Sequence, residues 1–309
     1  MHTKAFPYIG LLGLFWGTNI VASRFGVVEL DPLLYISLRI SVAAICMLLI
    51  LLIQRRTWPA DLTLWGHALI SGVIGVSIPM SLFIFSLQYQ SSGVTSIFVT
   101  TGPALMVIAA HFFLPDEKMT RNKAVGVLLA LIGSLFLVIR GETGLAGVGQ
   151  ASLLGFIFVF TALSFDVLNT MFVRKRMRDM DPVMVTAIRL CVGSVLTTAV
   201  ALLFSDFSFT TISVSGYISI IYAGLVGALA GQFLAFYVIG RFGATAYSLT
   251  TYVIPVVATI FGVLLLDEIV TWGMLVGVVL IGGGITLINR QVDTNAVRLK
   301  QAEYGEVGS

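Results

Sequence analysis

A few charged side chains lie inside long apolar segments of the sequence. Asp166 is the only carboxylate well inside such a segment, and Arg39 and Arg189 lie inside two others. A charge in an apolar environment is costly unless it is paired, so each of these residues is a candidate for a functional site. A carboxylate there can exchange a proton or bind a cationic amino group. Arg189 is expected at the same depth in the membrane. The alternative is therefore that Arg189 neutralises Asp166 in a purely structural ion pair.

The remaining reactive side chains do not form a catalytic or metal-binding pattern. Cys46 and Cys191 both lie in apolar runs, and His2, His67 and His111 have no partner at the spacing of metal ligands. We therefore predict no metal, no cofactor and no enzymatic activity. His111 is expected to be a packed or interfacial histidine rather than a proton relay.

The composition places the chain in a membrane. Of its 309 residues 58% are hydrophobic and 11% are charged, and the mean hydropathy is +1.00. Soluble domains carry about 25% charged residues, so a large water-soluble domain is excluded. Nucleic-acid binding and cytosolic enzymology are excluded with it.

Polar and charged residues divide the chain into ten apolar runs, each about the 20 residues that a membrane-spanning helix needs. The predicted spans lie at 6–26, 33–53, 66–87, 93–114, 123–139, 151–172, 183–204, 216–239, 244–266 and 272–289. The fold class is therefore an all-α integral membrane protein of ten transmembrane helices. The short connections place the function inside the membrane.

Basic residues predict the orientation. Fourteen of the 18 lysines and arginines fall on one side if the spans alternate, namely in the N-terminal segment, every second connection and the C-terminal segment. Basic residues are enriched in cytoplasmic loops, so we predict that both termini are cytoplasmic.

A repeat appears at a spacing of 150 residues. In one group of matches, Asn19, Arg24, Asp31, Pro32 and Arg39 recur as Asn169, Arg174, Asp181, Pro182 and Arg189. In a second group, Gly93, Thr95, Thr100 and Thr101 recur as Gly243, Thr245, Thr250 and Thr251. Each repeat holds five spans, an odd number, so the two copies must be inverted, as in many secondary transporters. The predicted units are a five-helix repeat at 1–140, an inverted one at 151–290 and a cytoplasmic tail at 291–309.

Two motifs resemble a known family. The first is Trp16-Gly17-Thr18-Asn19, and the second is a proline, an acidic pair and a glycine-punctuated helix. The second motif occurs twice, as Pro103, Asp116-Glu117, Gly126 and Gly133, and as Pro255, Asp267-Glu268, Gly277 and Gly284. The chain is similar to the EamA type of the drug/metabolite transporter superfamily. The resemblance implies movement of a small metabolite, often outward and often an amino acid, through a cavity lined by helices 1, 3, 4, 6, 8 and 9.

Depth in the membrane suggests partners for the two arginines. We expect Arg39 to pair with Glu268 at one end of the bundle and Arg189 to pair with Glu117 at the other. Such pairs either hold helices together or form alternately as gates in two access states.

Polar and aromatic residues on the implied cavity helices complete the candidate site. Asn19, Asn169 and Gln232 either bind substrate or join helices by hydrogen bonds. The candidate aromatic residues are Trp16, Phe83, Phe98, Phe160, Tyr237 and Tyr252. An aromatic wall suits apolar or cationic solutes, although such residues also pack against other helices or face lipid.

The sequence favours a secondary transporter for a small metabolite that works by alternating access in a bacterial plasma membrane. The substrate is expected to be an amino acid or a similar solute, with export as the direction. Asp166 either couples transport to protons, binds a cationic amino group or forms a structural pair with Arg189. The alternative is a passive facilitator or channel. No ATP-binding loop of the G-x-x-x-x-G-K-[ST] type occurs in the sequence. An intramembrane enzyme or a scaffold is disfavoured, because the interior lacks an acid–base–metal cluster and the loops are short.

Overall fold

The computed structural model of the chain describes residues 3–58, 61–114, 118–146, 152–177, 180–205, 212–242 and 244–306. Ten helices in these ranges are long and apolar enough to cross a membrane, which confirms the predicted number of spans. They are α1 (Phe6–Glu29), α2 (Pro32–Ile53), α3 (Leu62–Ser86), α4 (Ser92–Phe113), α5 (Arg121–Arg140), α6 (Leu153–Arg176), α7 (Pro182–Phe204), α8 (Val214–Ile239), α9 (Ala246–Leu266) and α10 (Trp272–Asn289).

The third helix of each repeat contains a wider π-helical segment. Helix α3 consists of Leu62–Gly72, a π-helical segment at Val73–Ser77 and Ile78–Ser86. Helix α8 begins with Val214–Tyr222 and a π-helical segment at Ala223–Ala230, and its last segment, Gly231–Phe242, continues beyond the apolar span. Segments of this kind are frequent at functional sites, and here they occupy related places in the two repeats.

Two other helices are interrupted, and one is longer than predicted. Helix α4 divides into Ser92–Val99 and Gly102–Phe113. The apolar span of α9 starts within a short helix, Ala244–Ser248, which is followed by Thr250–Leu266. Helix α10 continues beyond the apolar span to Glu306, so the predicted tail begins inside a helix. Hydropathy ends a predicted span at the first polar run, whereas a helix continues wherever its backbone hydrogen bonds are formed.

The repeated Asp-Pro pairs start helices. The carboxylate of Asp31 accepts hydrogen bonds from the backbone N–H groups of Leu33 and Leu34 at the start of α2. Asp181 accepts one from the N–H of Val183 at the start of α7. In each case proline follows at the first helical position, where its missing N–H costs nothing. The repeated sequence signal is therefore explained by helix capping.

Small residues let helices of different repeats approach closely. Gly126 of α5 lies against Gly284 of α10, where a Cβ atom added to Gly126 would lie 2.5 Å from the Gly284 carbonyl oxygen. Gly13 and Gly17 of α1 lie against Val253 and Val257 of α9. Because membrane helices associate through close packing rather than through a hydrophobic driving force, these glycines set the interfaces between the repeats.

Candidate functional site

Two faces of the helix bundle provide the frame for the site. We call the end that carries Arg55, Arg56, Lys175 and Arg176 the basic face. We call the end that carries Glu29, Glu142 and Glu268 the opposite face. The ends of the α helices alternate between these two faces along the chain.

Asp166 faces the interior of the bundle. On α6, Asn169 contacts Gly75 of α3, and Leu163 lies beside Gly102 of α4. With 3.6 residues per turn, Asp166 projects between these two directions rather than toward lipid. Its side chain is nevertheless exposed. Asp166 therefore lies on the surface of α6 between its contacts with α3 and α4, where its side chain is accessible.

An arginine of α7 lies near this carboxylate without touching it. Asp166 and Arg189 interact electrostatically. The ion pairs formed among the described residues do not include one between them within 4 Å. The Nε atom of Arg189 is buried and has no hydrogen-bond partner among the described residues. The two opposite charges therefore lie close together in the membrane interior. The N–H group at Nε of Arg189 remains available to donate a hydrogen bond.

Tyr247 connects the charged pair to an aromatic wall. It lies in the short helix at the start of α9 and interacts electrostatically with Asp166. Its ring meets that of Trp16 edge to face, with the centroids 5.8 Å apart and the planes at 89°. Trp16 and Asp166 occupy related positions in the two repeats, and Tyr247 lies within reach of both. Sequence reasoning missed Tyr247, because one tyrosine near a helix start carries no distinguishing signal.

The two repeat-related asparagines join helices of different repeats. Asn169 lies against Gly75 in the π-helical segment of α3, and Asn19 lies against Gly227 in that of α8. The Oδ1 atom of Asn169 accepts a hydrogen bond from the Ser71 hydroxyl at 2.7 Å. The Oδ1 atom of Asn19 is buried and has no partner among the described residues. The asparagines thus occupy matched interfaces but differ in hydrogen bonding.

The expected ion pair between Arg39 and Glu268 is not formed in this structure. Arg39 is buried and donates to the Ser23 hydroxyl at 2.9 Å, with Tyr35 nearby. Glu268 accepts from the N–H and the hydroxyl of Ser92, each at 2.7 Å. The first N–H groups of a helix have no intrahelical partner, so the start of α4 attracts the carboxylate. The prediction from depth in the membrane did not take this competing set of donors into account.

The environment of Glu268 perturbs its titration. Burial raises the pKa of its carboxyl, while hydrogen bonds from Ser92 and Gly93 and the charge of Arg24 oppose that effect. The pKa remains above its ordinary value because desolvation is the largest contribution. The other expected pair, Arg189 with Glu117, includes a residue that lies outside the described ranges.

The remaining predicted site residues lie elsewhere. Phe98 is buried against Phe156, and Phe83 packs against the core. Phe160 is exposed on the side of α6 away from Asn169. The Tyr237 ring packs at a tilt against that of Tyr8, and the Tyr252 hydroxyl lies 3.2 Å from that of Thr286. Gln232 lines a separate crevice of about 150 Å³ between α2, α7 and α8. Of the predicted residues, the structure places Trp16 and Asp166 beside Tyr247, and it places Arg189 near Asp166.

The opposite face is closed above this site. The Ser91 N–H donates to the Thr143 carbonyl at 2.8 Å, and the Ile269 N–H donates to the Gly144 carbonyl at 2.9 Å. Together with the hydrogen bonds from Ser92 to Glu268, these bonds join the α3–α4, α5–α6 and α9–α10 connections. All residues from Ser92 to Phe98 are buried, whereas in the corresponding turn of α9 Tyr247 and Ser248 are partly exposed. The two repeats are therefore packed unequally at their related helix starts.

Comparisons with known proteins agree with this architecture. The EamA-like transporter family matches residues 4–139 and 153–290, one copy in each repeat. A solved structure titled only "Crystal structure of protein" aligns with a TM-score of 0.64 at 17% identity, covering 93% of this chain and 98% of that one. At this identity the likeness concerns the fold alone.

Several curated relatives cover most of this chain. An uncharacterized transporter of Bacillus subtilis, YoaV, is 30% identical over 274 residues, which cover 88% of this chain and 92% of that protein. An uncharacterized transporter of Haemophilus influenzae is 28% identical over 71% of this chain and 74% of its own length. A WAT1-related chloroplastic protein of Arabidopsis thaliana is 23% identical over 89% of this chain and 67% of its own length. The resemblance predicted from the sequence motifs is confirmed, and the chain belongs to the EamA-like transporter family.

Proposed function

We propose that this protein is a secondary transporter for a small zwitterionic solute, most simply an amino acid. The observation that supports this proposal is the arrangement of Asp166 and Arg189, which are opposite in charge, close enough to interact and not in direct contact. A solute with an ammonium and a carboxylate group complements both charges at once. The family itself points to transport of a small solute and leaves the substrate open.

Each end of such a solute has a suitable partner. The carboxylate of Asp166 accepts hydrogen bonds from the ammonium group, and the guanidinium of Arg189 donates to the carboxylate in the fork geometry that suits it. Trp16 and Tyr247 supply aromatic faces beside the cationic end, where they add a favourable cation–π term. Both charges become paired by the substrate, which reduces the cost of placing them in the membrane.

The unequal packing of the two repeats supports alternating access. The sealed opposite face and the partly exposed turn around Tyr247 favour a state in which the site communicates with the basic face. We take the basic face as cytoplasmic, since basic residues concentrate there. In that orientation the structure corresponds to loading from the cytoplasm, which favours export across a bacterial plasma membrane.

Proton coupling is a further part of the proposal. When no substrate is bound, Asp166 lacks a direct cationic partner among the described residues and its side chain is accessible. Protonation would neutralise the carboxylate during the return of the empty carrier. A proton would then exchange for a substrate ammonium at the same oxygen atoms.

Exchange across proteoliposomes tests this function. The purified chain is reconstituted with one amino acid inside, and uptake of the labelled amino acid is followed from outside. A carrier gives uptake that saturates with concentration and is accelerated by internal substrate. Uptake that neither saturates nor responds to internal substrate would instead support the passive facilitator.

A further inference from the structure

A cavity lined mostly by polar and charged residues lies on the basic face, separate from the proposed transport site. Its volume is about 380 Å³, and it lies where α2 ends and where α3 and α7 begin. The lining residues are Gln54, Arg55, Arg56, Thr57, Leu64, Asp181 and Met184. None of these residues takes part in the site around Asp166.

The two arginines of the cavity differ in their side-chain contacts. Arg56 donates to Asp181 at 2.5 Å, which ties the α2–α3 connection to the start of α7. The side chain of Arg55 forms no ion pair or hydrogen bond within the part of the chain that the structure describes. The cavity therefore has a fixed arginine beside an available one, and its net charge is positive.

The backbone holds Arg55 in an unusual conformation. Its φ angle is +51°, in the left-handed region that favours glycine. A residue with this left-handed backbone conformation ends α2 and changes the direction of the chain. Residues other than glycine are uncommon in this conformation. The position is thus occupied by a long cationic side chain where a glycine would be the less strained choice.

The surroundings of the cavity match the boundary between lipid and water. Trp58 and Trp65 stack beside it, with their ring centroids 5.6 Å apart and their planes at 29°. Tryptophan is enriched at the level of lipid headgroups. Leu52, Ile53 and Leu62 are exposed by 71%, 80% and 83%, as residues against acyl chains would be.

We infer that this cavity binds the phosphate of an anionic phospholipid headgroup, with Arg55 as its principal cationic contact. The guanidinium of Arg55 supplies charge-assisted hydrogen bonds, while the Gln54 amide and the Thr57 hydroxyl provide neutral donors. The exposed apolar residues at the ends of α2 and α3 accommodate the acyl chains. The bound lipid would bridge the first repeat to the start of α7 in the second.

Lipid retention by the full-length protein tests this inference. The purified protein in a non-ionic detergent is titrated with phosphatidylglycerol, with phosphatidylcholine as the zwitterionic comparison. Native mass spectrometry gives the fraction of protein that carries one lipid. Arg55→Gln is compared with Arg121→Gln, which removes another exposed arginine at the same face but outside the cavity.

The wild-type protein is expected to retain phosphatidylglycerol in preference to phosphatidylcholine. Arg55→Gln should weaken apparent phosphatidylglycerol affinity by about fivefold, the usual contribution of one basic residue at a membrane surface, and Arg121→Gln should leave it unchanged. Equal losses in the two variants, or equal retention of the two lipids, would overturn the inference. Competition by millimolar inorganic phosphate without lipid retention would assign the cavity to a soluble anion and would also overturn it.

Discussion

Asn169 of α6 lies against Gly75 in the π-helical segment of α3, and its Oδ1 atom accepts a hydrogen bond from the Ser71 hydroxyl at 2.7 Å. The repeat-related contact joins Asn19 of α1 to Gly227 of α8, where Oδ1 has no partner among the described residues. The same type of contact between helices is therefore hydrogen-bonded on one side of the bundle and not on the other. This difference makes the contact of α3 with α6 the more rigid of the two.

The first prediction concerns these glycines. A Cβ atom at Gly75 would lie 2.3 Å from the Asn169 side chain, and one at Gly227 would lie 2.2 Å from that of Asn19. Gly75→Ala should lower the free energy of unfolding by about 1–3 kcal/mol, as overpacking usually does. Gly227→Ala should cost less, because Asn19 can move without losing a hydrogen bond.

Thermal unfolding in detergent measures both changes. Gly66→Ala is the matched control, since a Cβ atom at this position of α3 meets nothing within 4 Å. The control should be neutral or slightly stabilising, as alanine favours helix over glycine. A larger loss in Gly227→Ala than in Gly75→Ala would contradict this account of the two contacts.

The second prediction separates helix capping from ion pairing at Asp181. This residue caps α7 and pairs with Arg56, and the two side chains are 37% and 42% exposed. Removal of an N-cap costs about 1 kcal/mol, whereas an exposed ion pair contributes about 0–1 kcal/mol. Asp181→Ala should therefore lower unfolding stability more than Arg56→Gln does.

The repeat-related Asp31 provides the comparison, because it caps α2 and has no ion pair with a described residue. Asp31→Ala and Asp181→Ala should cost similar amounts, measured by thermal unfolding in detergent. A loss in Arg56→Gln as large as that in Asp181→Ala would show that the ion pair is the main contribution.

The third prediction concerns the pH dependence of the seal at the opposite face. The pKa of Glu268 is raised in the folded protein, chiefly by burial. A carboxyl with a raised folded-state pKa contributes stability below its unfolded pKa and loses it as the pH rises through the folded value. Wild-type stability should therefore fall over that interval, and Glu268→Gln should remove this part of the change.

Unfolding temperatures of the wild-type protein and Glu268→Gln between pH 4 and about pH 8 test the sign of this effect. Glu29→Gln is the control, since Glu29 also lies at the opposite face and accepts a hydrogen bond from the Ser213 hydroxyl. An unchanged pH profile in Glu268→Gln, or a wild-type protein that gains stability through this carboxyl as the pH rises, would refute the account of Glu268.

The fourth prediction concerns Tyr247. If its ring lies beside the cationic end of the substrate, Tyr247→Leu should raise the half-saturation concentration for exchange by about two- to thirtyfold, the range of a cation–π contact. Tyr237→Leu is the control, because its ring packs against that of Tyr8 rather than against Trp16. Equal effects of the two substitutions would remove Tyr247 from the proposed binding site.

The sequence predicted the fold more completely than the site. The ten spans follow from apolar runs of membrane length, and the two repeats follow from matches such as Asp31 with Asp181. Those signals reflect local requirements, namely lipid contact and helix capping. They are therefore readable without knowledge of which helices touch.

The candidate site depends on contacts between distant segments. Asp166 and Trp16 were identifiable as an unusual pair of repeat-related residues, but their shared neighbour Tyr247 comes from a different part of the chain. The partner of Glu268 was missed for a similar reason. The backbone N–H group of Ser92, at the start of α4, competes with Arg39 for the Glu268 carboxylate. No pattern of side chains in the sequence predicts that donor.

The most direct test is exchange of amino acids by proteoliposomes that contain the wild-type protein, Asp166→Asn or Arg189→Gln, with Glu29→Gln as the control for loss of a charge elsewhere. The wild-type protein and the control should exchange an amino acid but neither its decarboxylated amine nor its N-acetylated acid. Each site variant should lose at least about tenfold in exchange rate at low substrate concentration, the effect of losing a hydrogen bond to a charged group. Wild-type exchange rates in both folded site variants would contradict a substrate site formed by Asp166 and Arg189.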